Sequence, residues 1–406
     1  MTLPGGDSAT RRQCKRGRRA SPLIPRVRWV ITPPVPHRRT AIMASRLRDW
    51  LELDGGPARM RPTEGLRGAA VLLVFAQHYA MQAIQMIELG PVAAEVAALL
   101  RNFGTLGVEL FFVLSGFLIY GTLLRRRPGF MPFMRRRVQR LYPAFLVVFV
   151  PLLAWHAVRG AEVPVDPLSA GLVILANLLF IPGVFAMDAI MTVAWSLSWE
   201  MAFYLVLGLL VPGLGLHAWP RWGRIGAILA VMGLVAMVCD RAPEGAGVFV
   251  VPLPLLPLLV GMLLFEIEDG RGPAVPGGLA LAAGAASLLV GQYVAWSPLS
   301  RTVMETLALA LLCSAALRGG NLAALVFSQE TLRWLGNMSY SFYLVHGLVL
   351  VASFRLAGWL LGAGWPGVTF WLLAAPIFAA GAVASLVLFV LVERPFSLAR
   401  AAHGQR

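Results

Sequence analysis

The chain has 406 residues, 58% of them apolar and only 14% charged, with a formal net charge of +15. A soluble protein of this length would need far more Lys and Glu on its surface, so composition excludes a soluble globular enzyme and indicates a polytopic membrane protein. Cys14, Cys239 and Cys313 are scattered, which excludes a disulfide framework or a cysteine metal site.

In chain order, the first segment is the polar one. Met1 to Leu66 carries 14 Lys and Arg against 5 acids and is rich in Pro and Ser. Residues 1–60 read as a disordered, basic N-terminal extension, or as an arm on anionic lipid. Met43 and Met60 are alternative starts. No apolar core follows the basic residues as in a signal peptide.

A transmembrane helix needs about 20 apolar residues. Eleven stretches qualify, some of them short: 68–88, 104–124, 141–158, 169–186, 201–216, 225–239, 248–265, 278–295, 302–317, 337–356 and 368–392. The loop 125–140 holds seven Arg and no acid and is expected in the cytoplasm, as are the basic N-terminal arm and the tail. Two cytoplasmic termini require an even number of crossings. The weakest stretch is 169–186, with Asn177, Pro182 and Gly183, which reads as re-entrant or interfacial. The expectation is an all-α polytopic membrane protein of about ten transmembrane helices with both termini cytoplasmic. Its membrane domain spans 61–397 and a short tail spans 398–406.

Ionisable residues inside such helices are costly and mark function. Arg67 and His78 share the first span, eleven residues or about 16 Å apart. Arg67 is expected at the cytoplasmic surface and His78 near mid-membrane, where a neutral imidazole can act as a general base. Glu109 lies in the next span, and an antiparallel neighbour could bring it to His78 as an orienting acid. Arg137 and Arg140, at i and i+3, share a helix face and with Arg136 make a phosphate-binding set, because Arg forks grip phosphate oxygens. Glu200 in WSLSWEMAFY, with Ser196, either holds a sugar hydroxyl or works with His78. Ser339, Tyr343 and His346 place polar groups on one late helix and are candidates for an acceptor pocket. Glu393-Arg394 is expected to close an ion pair at the cytoplasmic edge. No metal constellation, Walker loop, GxSxG elbow or nucleic-acid motif is present.

With these motifs assembled, the chain resembles the acyltransferase family 3 membrane proteins, the O-acetylases of bacterial surface polysaccharides, peptidoglycan, nodulation factors and some macrolides. The resemblance covers 65–396. It rests on GLRG-x7-H at 65–78, GVELFFVLSGFLI at 107–119, RRVQRLYP at 136–143, WSLSWEMAFY at 195–204, SYSFYLVH at 339–346 and ERPF at 393–396. It implies that Arg67 and His78 are the family's Arg-x10-His pair and that Arg137 and Arg140 are its Arg-x-x-Arg. Glu109 stands where members often have Asp. It further implies a multi-pass protein of the bacterial inner membrane, with acetyl-CoA or another acyl-CoA as co-substrate and no resident cofactor or metal. The acceptor would be a carbohydrate or small-molecule hydroxyl. A transporter or flippase of an acylated glycolipid is the rival expectation, since it shares ten spans and buried charges.

Overall fold

The computed structural model describes residues 50–52, 61–159, 166–185, 187, 189–241, 252–269, 276–293, 297–362 and 365–398, all within one unit, Arg48–Arg406. The described residues are almost wholly helical: α1 (Arg61–Met86), α2 (Pro91–Arg126), α3 (Phe130–Arg159), α4 (Pro167–Leu178), α5 (Trp195–Gly213), α6 (Arg221–Arg241), α7 (Leu255–Asp269), α8 (Gly277–Tyr293), α9 (Pro298–Arg318), α10 (Leu322–Phe327), α11 (Glu330–Asn337), α12 (Ser339–Leu361) and α13 (Val368–Leu388). α13 continues as a π-helix over Phe389–Leu398. Among the described residues, seven helices are long and apolar enough to cross a membrane: α2, α3, α5, α6, α9, α12 and α13. Their outward faces expose Leu146, Val150, Leu209, Leu234, Leu356, Trp359 and Val383, an apolar exterior suited to lipid rather than water.

Local chemistry sets the helix starts. Pro91, Pro167 and Pro298 each open a helix, where a missing N–H costs nothing. Asp166 accepts from the Ser169 N–H at 2.8 Å and Asn321 from the Ala324 N–H at 2.9 Å, each capping a first turn.

α4 has twelve residues, about 18 Å, the shortest helix among the eleven apolar stretches against a core of about 30 Å. The Asn177 amide donates to the Val173 carbonyl at 2.9 Å, and its oxygen accepts from the Ile190 N–H at 3.0 Å. The chain thus turns back after Leu178. It folds onto the start of α5, where the Gly183 N–H meets Ser198 Oγ at 3.0 Å.

α2 is the hub, packed against α1, α5, α7 and α9. Its glycines allow the close approach. A Cβ on Gly116 would lie 2.0 Å from the Leu258 carbonyl oxygen of α7, and one on Gly107 would lie 2.7 Å from that of Ala70 in α1.

The start of α1 departs from expectation. Arg67 was expected at the surface, but α10 and α11 cover the first turns of α1. The seam needs glycine on both sides: a Cβ on Gly65, Gly68 or Gly336 would sit within 2.0 Å of a backbone oxygen. Behind it, Arg333 pairs with Glu64 at 3.0 Å and with Glu52. Residues 50–52 are docked here as well. The Leu51 carbonyl accepts from Asn337 Nδ2 at 2.9 Å and that of Trp50 from Arg394 Nη1 at 2.8 Å. Otherwise the 1–60 extension, and the tail beyond Leu398, lie outside the described residues.

The motif at 393–396 was expected to close an ion pair at the cytoplasmic edge, and its carboxylate turns into the bundle. Glu393 is fully buried, and its Oε2 accepts from the Ser341 Oγ at 2.6 Å and the Ser341 N–H at 3.2 Å. Adjacent residues on a helix point in different directions, so Arg394 is turned away toward Trp50.

Candidate active site

One stripe of α2 organises the site. Val108, Phe111, Phe112, Ser115, Leu118, Ile119 and Thr122 recur at steps of three and four and line a cavity of about 260 Å³. The opposite walls come from Arg67 of α1, Arg137, Arg140 and Leu141 of α3, Ser196, Leu197, Glu200 and Tyr204 of α5, and Ser339, Tyr340 and Tyr343 of α12. Five helices therefore bring three guanidinium groups and one carboxylate together.

These charges are held, not loose. Glu200 Oε1 accepts from Ser115 Oγ at 2.5 Å and from the Tyr204 hydroxyl. The Arg137 guanidinium lies 5.2 Å from the Phe133 ring centre and 5.4 Å from that of Tyr204. Its Nε is buried with no hydrogen-bond partner among the described residues. Glu393 sits behind the cavity and interacts electrostatically with Arg140 and, less strongly, with Arg67. Tyr340 ties α12 to α3 by donating to the Leu141 carbonyl at 2.8 Å. Ser196 and Tyr343 share a hydrogen bond of 2.9 Å.

His78 and His346 do not line this cavity, but each shares a helix face with a residue that does. From Arg67 to His78 is eleven residues, or 1100°, only about 20° from a whole number of turns, so both occupy one face of α1. Ser339 and His346, seven residues apart, likewise share a face of α12. The two imidazoles meet edge to face with ring centres 5.0 Å apart. His78 Nδ1 lies 2.9 Å from the Val74 carbonyl oxygen. His346 Nδ1 lies 3.0 Å from that of Phe342 and 2.8 Å from that of Tyr343. A carbonyl only accepts, so each Nδ1 carries a proton, and in the neutral ring Nε2 is the nitrogen with the lone pair. The buried His346 Nε2 has no partner among the described residues.

Two sequence candidates fall elsewhere. Arg136 is exposed and absent from the cavity wall, because one residue rotates a helix by 100° away from the face of Arg137 and Arg140. Glu109 turns toward α9, where Glu305, Arg301 and Thr306 are its neighbours, and makes no hydrogen bond to His78. Arg301 pairs with Glu305 at 2.9 Å. The sequence reading gave no site role to Tyr204, Glu393 or Ser115. Tyr204 carried one signal: it stands four residues from Glu200 and so shares its face. Ser115 carried none, since its partner is 85 residues away.

Among the described residues no group of three or more His, Cys, Asp or Glu could hold a metal. The chain was compared with known proteins. A family model described as an acyltransferase domain matches residues 63–394. Acyltransferase MdmB of Streptomyces mycarofaciens is 29% identical over 367 residues, covering 83% of this chain and 91% of that protein. Exopolysaccharide production protein ExoZ of Rhizobium meliloti is 27% identical, covering 75% of this chain and 92% of its own length. O-acetyltransferase OatA of Staphylococcus aureus is 27% identical over 63% of this chain, which spans 48% of OatA. No solved structure matches. With its arginine-lined cavity, paired histidines and helices fit to cross a membrane, the chain belongs to acyltransferase family 3 and is an O-acyltransferase.

Proposed function

We propose that the protein takes an acyl group, acetyl in the first instance, from cytoplasmic acyl-CoA and passes it to a hydroxyl of a glycan or other secreted acceptor. The observation that carries this is the alignment on α1: a guanidinium in a charged cavity and, on the same face, a histidine with a free Nε2. Arg137, Arg140 and Arg67 hold donor phosphates by charge-assisted hydrogen bonds. The pantetheine arm then runs along the α1 face toward His78. ExoZ, a full-length relative named for exopolysaccharide production, favours a carbohydrate acceptor.

The chemistry balances on one histidine. His78 Nε2 takes the acceptor O–H proton while that oxygen attacks the thioester carbon. The C–S bond breaks, and the CoA thiolate recovers the proton from the imidazolium. The Nδ1–H bond to Val74 fixes the ring in the tautomer that leaves Nε2 free. The same atom could instead carry the acyl group transiently. His346 Nε2 and Tyr343 stand on the acceptor side. Glu200, fixed by Ser115 and Tyr204, faces the same cavity as the arginines.

The seven long helices with α1, α7 and α8 give ten crossings, with α4 as the one that fails. Both termini and the arginine loop then face the cytoplasm of a bacterial inner membrane.

The test uses purified protein in proteoliposomes supplied with radiolabelled acetyl-CoA and a membrane or glycan extract. A general base contributes roughly 10²–10⁴-fold. His78→Ala is expected to lose label transfer by that factor while inserting normally. Transfer at the wild-type rate by that variant overturns the reading.

A further inference from the structure

We propose that a second pocket, just past the arginine end of the cavity, binds the adenosine 3′-phosphate head of the acyl-CoA donor. This rests on the donor reading above.

The lining stripe of α2 does not stop at Thr122. Arg125 is the next step of three. It lies seven residues, or 700°, from Leu118, within about 20° of the same line and about 10 Å further along. There it lines a separate pocket of about 140 Å³ with Leu124, His217, Arg224, Phe265 and Asp269. One helix edge thus connects the two spaces.

The first cavity, at about 260 Å³, falls below the usual range of drug-sized sites, roughly 300–1,000 Å³. CoA is larger than such ligands, so its nucleotide head needs room beyond that cavity. The second pocket offers the matching chemistry. Arg125 lies 4.9 Å over the Phe265 ring, a contact that holds its guanidinium at the pocket, where a phosphate can reach it. His217, half-buried on the α5–α6 connection, supplies a second donor.

The remaining charges also fit. Arg224 is held by Glu266 at 2.6 and 2.9 Å, so it shapes the wall rather than seeking an anion. Arg125 pairs with Asp269, the one acid in the lining, but their side chains are 62% and 44% exposed. Such a surface pair contributes little and exchanges readily for a phosphate dianion. Asp269, once released, is an acceptor for the ribose 2′-hydroxyl or the adenine amino group.

The experiment is calorimetric binding of CoA and 3′-dephospho-CoA to the full chain in neutral-lipid nanodiscs. The wild type is expected to bind CoA roughly ten- to a hundredfold more tightly, the contribution of a charged hydrogen bond. Arg125→Ala combined with His217→Ala is expected to bind both at the dephospho-CoA affinity, which also reports an intact fold. Arg125→Gln alone should lose part of the preference. Equal binding of the two ligands by the wild type overturns the proposal and leaves the donor reading standing. So does a double variant that keeps the preference or weakens both ligands alike. A wild type that binds neither sinks the donor reading itself. A further arm adds phosphatidylglycerol: a surviving preference identifies the nucleotide, and a lost one marks a lipid headgroup site and overturns the proposal.

Discussion

Replacing Arg137 by Ala removes a guanidinium that the protein positions without satisfying it. Its Nε is buried and has no partner among the described residues, while Phe133 and Tyr204 hold the plane from 5.2 and 5.4 Å. A preorganised fork of this kind loses little entropy when an anion arrives. A charge-assisted hydrogen bond is worth about 1.5–3 kcal/mol net, or roughly ten- to a hundredfold in affinity. The KM for acetyl-CoA is therefore expected to rise by that factor, with a smaller effect on kcat. Arg137→Lys, which keeps the charge and loses the fork, should fall between. The lost ring contacts cost about 2 kcal/mol each in a desolvated site, so insertion and elution of the variant are checked beside its kinetics. The assay is the initial rate of CoA release in proteoliposomes as acetyl-CoA is varied. An unchanged KM in a variant that inserts and elutes like the wild type refutes the donor role and leaves Arg137 a topological charge.

Glu64→Ala strips Arg333 of one of its two carboxylates in a site where the Arg side chain is 8% exposed. Breaking a buried pair costs about 3–5 kcal/mol, so thermal unfolding in detergent should move well below the wild type; an unchanged midpoint contradicts the seam. Gly116→Val drives a side chain into the Leu258 carbonyl, which a bare Cβ would already meet at 2.0 Å. Loss of the monodisperse species on size exclusion is expected, and wild-type yield would show that α2 and α7 do not pack this closely. Reporter fusions or impermeant cysteine labels at position 127 and at both ends should all report the cytoplasmic side; a split result refutes ten crossings.

Much of the fold is legible because lipid enforces a simple code. The eleven apolar stretches correspond to α1 through α9, α12 and α13, and the polar residues Asn177 and Gly183 marked the one that turns back. α10 and α11 were invisible for a physical reason. α10, LAALVF, has only six residues, and α11, ETLRWLGN, is both short and polar, so neither registers as a membrane helix. Missing them misplaced Arg67 at the surface, and it hid Arg333, whose charge is spent on Glu64 and Glu52. The candidate site divides in the same way. Spacing within a helix gave Arg137 with Arg140, and Arg67 with His78. Pairings between helices, such as Ser115 with Glu200 or Ser341 with Glu393, depend on which faces meet, and a single sequence does not encode that openly. Glu109 shows both halves. That a buried acid needs neighbours was readable, but that α9 and not His78 provides them was not.

The design of the site follows from this division. α1 and α12 each carry a cavity residue and, on the same face, a histidine. Neither histidine can share that face without keeping its helix in register, and each Nδ1 is spent on a carbonyl of its own helix. The direction of each free Nε2 is therefore fixed by backbone geometry rather than by a partner carboxylate. Glu109, which faces α9, has no part in setting the His78 ring. The glycines at 65, 68, 104, 107 and 336 let α1 close against α10, α11 and α2, and so set where Arg67 and His78 stand.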